Sequence, residues 1–200
     1  MRFIVFEGLD GVGKTTQANL LERYLEERGV KVLRVREPGG TPLGEKLREI
    51  LLDPSLEIDS LTETLLYFAS RRELCEKVLK GALRQGKFVI AERFTLSTYA
   101  YQGYLRGISM SFLKELEKMV VNLPVSPLYL LLDLPVEIAL SRKKREDRIE
   151  RESIAFFKKL REAYLELARL RNDVLVVNAS GETEEVFERV LDTLREAGII

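Results

Sequence analysis

Five short runs, mostly apolar, recur along the chain at residues 3–6, 31–35, 88–91, 128–132 and 174–177. Each is too short for a stable helix and lies next to turn or helix signals: Gly8 after the first, Gly86 before the third, Asp133 and Pro135 after the fourth. Such runs predict strands buried on both faces. Between them the apolar period lengthens to that of a helix. Ala18, Leu21 and Leu25 align within 14–27, with Gly29 placed as a C-cap. Residues 43–52 predict a short helix. A longer one follows, with Leu61, Leu65, Phe68, Cys75 and Leu79 on one side. Further helices are predicted over 95–105 and 111–121 (broken at Gly107), over 136–144 and 152–171 (separated by a charged stretch), and over 184–196. In the last of these Val186, Val190 and Leu194 align. Strands alternating with helices predict an α/β fold, a five-stranded parallel sheet flanked by helices on both faces. No linker or internal repeat divides the 200 residues, so residues 1–200 read as one domain.

Charge and composition narrow the function. The 32 basic residues balance 32 acidic ones, which argues against a nucleic-acid partner, for which a basic surplus is expected. One cysteine and no histidine leave no intramolecular disulfide, no thiolate metal cluster and no histidine-dependent catalysis. The apolar residues at the start carry Glu7 and run into a glycine loop, so they read as a strand and not a signal peptide. No apolar run approaches membrane-spanning length, and a cytoplasmic location with no membrane partner is expected.

Gly8-Leu9-Asp10-Gly11-Val12-Gly13-Lys14-Thr15 fits the phosphate-loop pattern G-x-x-x-x-G-K-[ST]. Glycines let the backbone curl so that its N–H groups point at phosphate oxygens, and the helix that follows presents its positive end to the same anion. Lys14 is placed to reach the β- and γ-phosphates of ATP, and the Thr15 hydroxyl to ligate Mg²⁺. The ATP site is expected to comprise Gly8, Asp10, Gly11, Val12, Gly13, Lys14, Thr15 and Thr16. The loop identifies nucleotide binding but not the second substrate.

Other strand ends narrow that choice. Arg36-Glu37-Pro38-Gly39-Gly40 follows the second strand, Tyr67 to Arg72 lie on a helix, and Glu92-Arg93-Phe94 follows the third strand. In a doubly wound sheet these ends converge near the phosphate loop, and arginines gathered with aromatics suit a phosphorylated planar ligand. FEGLDGVGKTT, REPGGTPLGEKLR, YFASRRE, ERFTLSTYAYQG and DRIERE, in this order, resemble the bacterial type of thymidylate kinase over nearly the whole chain. The resemblance implies a P-loop NTPase fold with a lid at about 141–150, and transfer of the γ-phosphate of ATP to dTMP with Mg²⁺, giving dTDP and ADP. It also implies a homodimer formed through helices, for which the 61–79 helix carries apolar surface that could equally be core.

By position, the resemblance gives Asp10 to the 3′-hydroxyl of dTMP and Arg48 and Arg93 to its phosphate. Glu37 falls in the same substrate group. Tyr67 matches the aromatic that stacks on thymine, and Arg71, one turn later, the arginine on a base carbonyl. Phe68 and Arg72 share that spacing, although the Ser-Arg-Arg-Glu match favours the first pair. Thr98 and Gln102 match base-contacting positions, and Tyr101 a tyrosine that disfavours a ribose 2′-hydroxyl. The family usually carries Asp before the arginine after strand three. Glu92 stands here instead, one methylene longer, and is kept as a metal-positioning candidate.

The charged run Ser141 to Arg148 corresponds to the lid. Gly11 occupies a loop position where one branch of the family carries an arginine, and the bacterial branch supplies catalytic cations from the lid instead. Arg148, assisted by Arg145 or Arg142, is expected to stabilise the transferring phosphoryl group, with stacking on adenine as the alternative for Arg142. A dTMP phosphate with a second pKa near 6 is already largely an anion at neutral pH, so no general base is required. The competing readings are a kinase of the same fold acting on another nucleotide or a nucleoside, a P-loop switch, and a noncatalytic nucleotide sensor. Switch proteins are expected to carry a guanine-reading Asn-Lys-x-Asp segment, which is lacking.

Overall fold

The structure is a computed structural model and describes residues 2–142 and 147–200. Five strands, β1 (Phe3–Glu7), β2 (Val32–Arg36), β3 (Phe88–Glu92), β4 (Leu128–Asp133) and β5 (Val174–Asn178), form one sheet in the order β2-β3-β1-β4-β5. Every pairing is parallel. The central strand explains why. Phe3, Ile4, Val5 and Phe6 are all fully buried, which only a sheet covered on both faces provides. Each such side chain contributes about 1.5–3 kcal/mol of burial.

Each expected strand is present and ends one residue later than its apolar run, on Glu7, Arg36, Glu92, Asp133 or Asn178. These polar residues remain in the ladder, as in the pairs Arg36–Glu92 and Asp133–Asn178. They lie at the carboxyl ends of the strands, where ligands bind in open α/β sheets.

The helices are α1 (Lys14–Glu26), α2 (Pro42–Leu52), α3 (Ser60–Leu74), α4 (Lys80–Arg84), α5 (Thr95–Thr98), α6 (Met110–Val120), α7 (Val136–Ser141), α8 (Ile154–Leu170) and α9 (Thr183–Glu196). A π-helical stretch, Cys75–Leu79, joins α3 to α4, and another, Tyr99–Leu105, prolongs α5. α1 and α9 pack on each other and on strands, whereas α8 packs on β4, β5 and the Tyr99–Leu105 stretch. No helix among the described residues is long and apolar enough to cross a membrane.

The apolar residues predicted on one side of the 61–79 helix divide, with Phe68, Cys75 and Leu79 buried. Leu61 and Leu65 are 45% and 47% exposed. The buried stripe of α3 carries Glu63, Thr64, Phe68, Ser70, Arg71 and Leu74, mixing polar with apolar groups. That stripe faces a polar pocket as well as the core, so hydrophobicity does not mark it.

Candidate active site

The loop between β1 and α1 is shaped by glycines. Gly11 has φ 85°, and a Cβ there would stand 2.0 Å from the Ala139 carbonyl oxygen, so the loop packs directly on α7. The arginine of the other family branch has no room at this position. α2, α3, α8 and α9 cap their first N–H groups with their own side chains, at Thr41, Asp59, Ser153 and Glu182. α1 begins after Gly13 with no side-chain cap and no acid in its first turn, leaving donors for an anion. Lys14 is buried beneath them and donates to the carbonyls of Gly8 (3.1 Å) and Leu9 (2.7 Å). Burial, reinforced by Arg93, lowers its pKa to about 8.

Two pockets adjoin here. The loop pocket is lined by Asp10, Gly11, Val12, Gly13, Lys14, Thr15 and Thr16, together with Glu92 and Arg142. Its far wall, Ala179 and 181–183 with Val186, has no counterpart in the sequence reading. The second pocket brings together all nine residues expected to hold the acceptor: Asp10, Glu37, Arg48, Tyr67, Arg71, Arg93, Thr98, Tyr101 and Gln102. Asp10, Glu37, Arg48 and Arg93 line both.

Arg93 sits at the junction. Its backbone has φ 66°, rare for a residue with a side chain, and its N–H is held by Phe6 O at 2.9 Å. Nη2 donates to Asp10 Oδ1 at 2.8 Å, while Nη1 donates to Ser97 Oγ and Tyr164 OH, each at 3.1 Å. Beneath them the fully buried Glu7 accepts from the N–H groups of Phe94 (2.8 Å) and Ser97 (3.1 Å), and from Ser97 Oγ (2.6 Å). Ser97 therefore spends its proton on Glu7 and offers its lone pairs to Arg93. Glu7, Ser97 and Tyr164 were not singled out from the sequence. Glu7's position at the end of a buried strand was the one available signal.

In the second pocket Arg71, 1% exposed, donates to Glu37 Oε2 (2.7 Å), Thr98 Oγ1 (3.0 Å) and Phe94 O (3.2 Å). Burial pushes the Glu37 carboxyl up to about 7 against the pull of Arg71. The guanidinium stays charged, since arginine does not lose its proton in proteins. Arg48 reaches Pro38 O at 3.0 Å, and burial raises the Tyr67 hydroxyl pKa to about 12. Tyr67 and Arg71 line the pocket, whereas Phe68 is core and Arg72 pairs with Glu76 and Val120 O on the outside.

Glu92 Oε2 accepts from Thr15 Oγ1 at 2.5 Å, and its Oε1 pairs with Arg34 Nη2 at 2.7 Å. The longer side chain is thus held by an arginine of the neighbouring strand and still meets Thr15. Arg148 departs from expectation. It donates to Glu63 and to Leu51 O (3.0 Å), and lines neither pocket. The physical reason is Glu63, a carboxylate buried to 2% exposure, which needs a cationic partner. Arg142 is the described lid arginine at the phosphate loop, and Arg145 lies outside the described residues.

Comparison with known proteins identifies the family. The family model described as thymidylate kinase matches residues 6–190. This chain belongs to the thymidylate kinase family. It is 44% identical over 190 residues to a thymidylate kinase of Thermosipho africanus, covering 94% of each, and 45% identical over 189 residues to one of Nitrosospira multiformis, covering 92% of each. The crystal structure of thymidylate kinase from Ehrlichia chaffeensis superposes with a TM-score of 0.80 at 35% identity, covering 96% of this chain and 97% of that one. Family membership makes the protein a nucleotide-binding transferase of the kinase class, with ATP-dependent chemistry.

Proposed function

We propose that this enzyme moves the γ-phosphate of ATP directly onto the 5′-phosphate of dTMP, across the junction where its two pockets meet. The products are dTDP and ADP, a step towards dTTP. The observation that carries the reading is the set of four residues, Asp10, Glu37, Arg48 and Arg93, common to both pockets. Donor and acceptor phosphates held on either side of Arg93 would be brought together with their repulsion offset by cations.

The roles follow from the local chemistry. The loop amides and the α1 N-terminus bind the donor phosphates, and Lys14, protonated below about pH 8, adds a charge. Arg93 and Arg48 hold the acceptor phosphate, and Asp10, fixed by Arg93, faces the sugar. Tyr67 covers the base, while Arg71, Thr98 and Gln102 read its edge. Among the described residues the buried Tyr101 hydroxyl has no hydrogen-bond partner, and it occupies space that a ribose 2′-hydroxyl would need.

Thr15 and Glu92 fit Mg²⁺. Both offer hard oxygen donors, 2.5 Å apart. Bound there, Mg²⁺ would neutralise charge on the β- and γ-phosphates. The segment at about 141–150 is taken as a lid that excludes water. Within it Arg142 takes the transition-state role that the resemblance suggested for Arg148.

A homodimer is part of this reading. α3 packs beside α2 and α6, and the three helices leave Leu43, Ile50, Leu61, Leu65, Phe112 and Met119 exposed. Sedimentation of a 46 kDa species, twice the 23.0 kDa chain, would bear this out, and a monomer would oppose it. The cytoplasm is the setting that goes with ATP as donor. The test of the function is ADP formation with Mg–ATP and dTMP, dUMP, dCMP, AMP or GMP in parallel. dTMP is expected to be the best acceptor by a wide margin, and preference for another monophosphate would overturn the assignment.

A further inference from the structure

Gln102 is 2% exposed and lines the acceptor pocket. Its amide has two ends of opposite character, an NH₂ that donates and an oxygen that accepts. Which end faces a bound base decides which bases fit. The residues around it settle the question. Glu63, on the buried side of α3 and itself 2% exposed, has Oε1 2.8 Å from Gln102 Nε2. Its Oε2 accepts from Arg148 Nη2, and Arg106 Nε lies 4.0 Å from Oε1. Arg148 and Arg106 are donor-only groups, so Glu63 meets cationic donors and serves as an acceptor on both oxygens. An acceptor-only neighbour takes the NH₂ end of the amide. A flipped amide would set oxygen against oxygen between two buried groups, which is unfavourable.

We propose that Glu63 is a positioning residue for base selectivity. By taking the NH₂ of Gln102, it leaves Gln102 Oε1 as the acceptor offered to the base. A pyrimidine with N–H at ring position 3, as in thymine or uracil, donates to that oxygen. Cytosine presents a lone pair there and is rejected. Glu63 touches no substrate in this account and acts through Gln102. The inference rests on the reading of this pocket as the seat of the base.

The test is Glu63→Gln, which keeps the volume and an acceptor for Arg148 but can donate to Gln102 and let its amide turn. The readout is the ratio of kcat/KM for dTMP over dCMP, with dTMP over dUMP and the KM of ATP measured alongside. The dTMP/dCMP ratio is expected to fall about tenfold or more, the size of a lost hydrogen-bond discrimination. The dTMP/dUMP ratio and the ATP KM are expected to hold within twofold, a pattern that general loosening of the fold would not produce. Should Glu63→Gln fail to fold, the pair Glu63→Met with Arg148→Met removes both buried charges, and the same loss of selectivity is expected. A dTMP/dCMP ratio within twofold of wild type in the variant that folds overturns the inference. Gln102→Leu separates the two failures. If it collapses selectivity while Glu63→Gln does not, the Glu63 role alone is wrong. If it too leaves selectivity intact, the base seat itself is misplaced.

Discussion

Tyr164→Phe removes one oxygen from the support of Arg93 and nothing else. The ring is 1% exposed and keeps its edge contact with Tyr101, centroids 6.4 Å apart. The lost hydroxyl lies 3.1 Å from Arg93 Nη1, 2.8 Å from Ser97 Oγ and 3.3 Å from Glu7 Oε2. A hydrogen bond to a charged group contributes roughly 1.5–3 kcal/mol. Ser97 still accepts from Nη1, so the lower end applies, about 1.5–2 kcal/mol of lost orientation. At about 1.4 kcal/mol per factor of ten, kcat/KM for dTMP falls roughly 10- to 30-fold. The ATP KM stays within twofold, because the loop amides and Lys14 are untouched. A stability loss of similar size lowers Tm by about 3–8 °C. Steady-state kinetics with dTMP varied at saturating ATP, paired with thermal unfolding, checks both. A dTMP kcat/KM within twofold of wild type, alongside a lowered Tm, would refute the reasoning, since Tyr164 would then support the fold without aiming Arg93.

Gly11→Ala and Gly13→Ala both force a side chain into positive φ (85° and 97°), but a Cβ at Gly13 meets nothing within 4 Å whereas one at Gly11 meets Ala139 O at 2.0 Å. Gly13→Ala is expected to lower stability by about 1–2 kcal/mol, the strain alone, and Gly11→Ala to lower Tm and ATP affinity further by displacing α7. Equal effects would contradict the packing. With Lys14 at about 8, its charge is present below that pH and lost above it, so ATP affinity is expected to fall as pH rises through 8. Calorimetry at pH 9 in buffers of different ionisation enthalpy is expected to find about one proton taken up on binding and almost none at pH 7. Lack of uptake at pH 9 would contradict the assignment.

Much of this molecule was legible before its structure. Apolar runs located five strands because a sheet covered on both faces requires them, yet each run stopped a residue short of the strand end. The residues missed were polar members of the ladder, and two of them, Glu7 and Glu92, organise the site. On α3, hydrophobicity marked the exposed Leu61 and Leu65 but not the buried stripe, because part of that stripe borders a pocket and is built from Glu63, Thr64 and Arg71. Residues that touch nucleotide by resemblance, such as Tyr67 and Gln102, came together as expected. The residues that support them did not announce themselves. Glu7 meets Phe94 and Tyr164 across 87 and 157 positions of sequence, and Glu63 meets Gln102 and Arg148 across 39 and 85. Periodicity carries no trace of such pairings. The same blindness hid the pairing of Arg148 with a buried carboxylate on a distant helix.

Direct transfer between adjoining pockets is the central claim, and the stereochemistry at the moving phosphorus tests it most directly. With ATP made chiral at the γ-phosphorus by sulfur and oxygen isotopes, a single in-line displacement onto dTMP inverts the configuration, and inversion is the result expected here. Retention would mean that the group first rests on the enzyme, with Asp10 or Glu37 the carboxylates within reach, and would contradict the account.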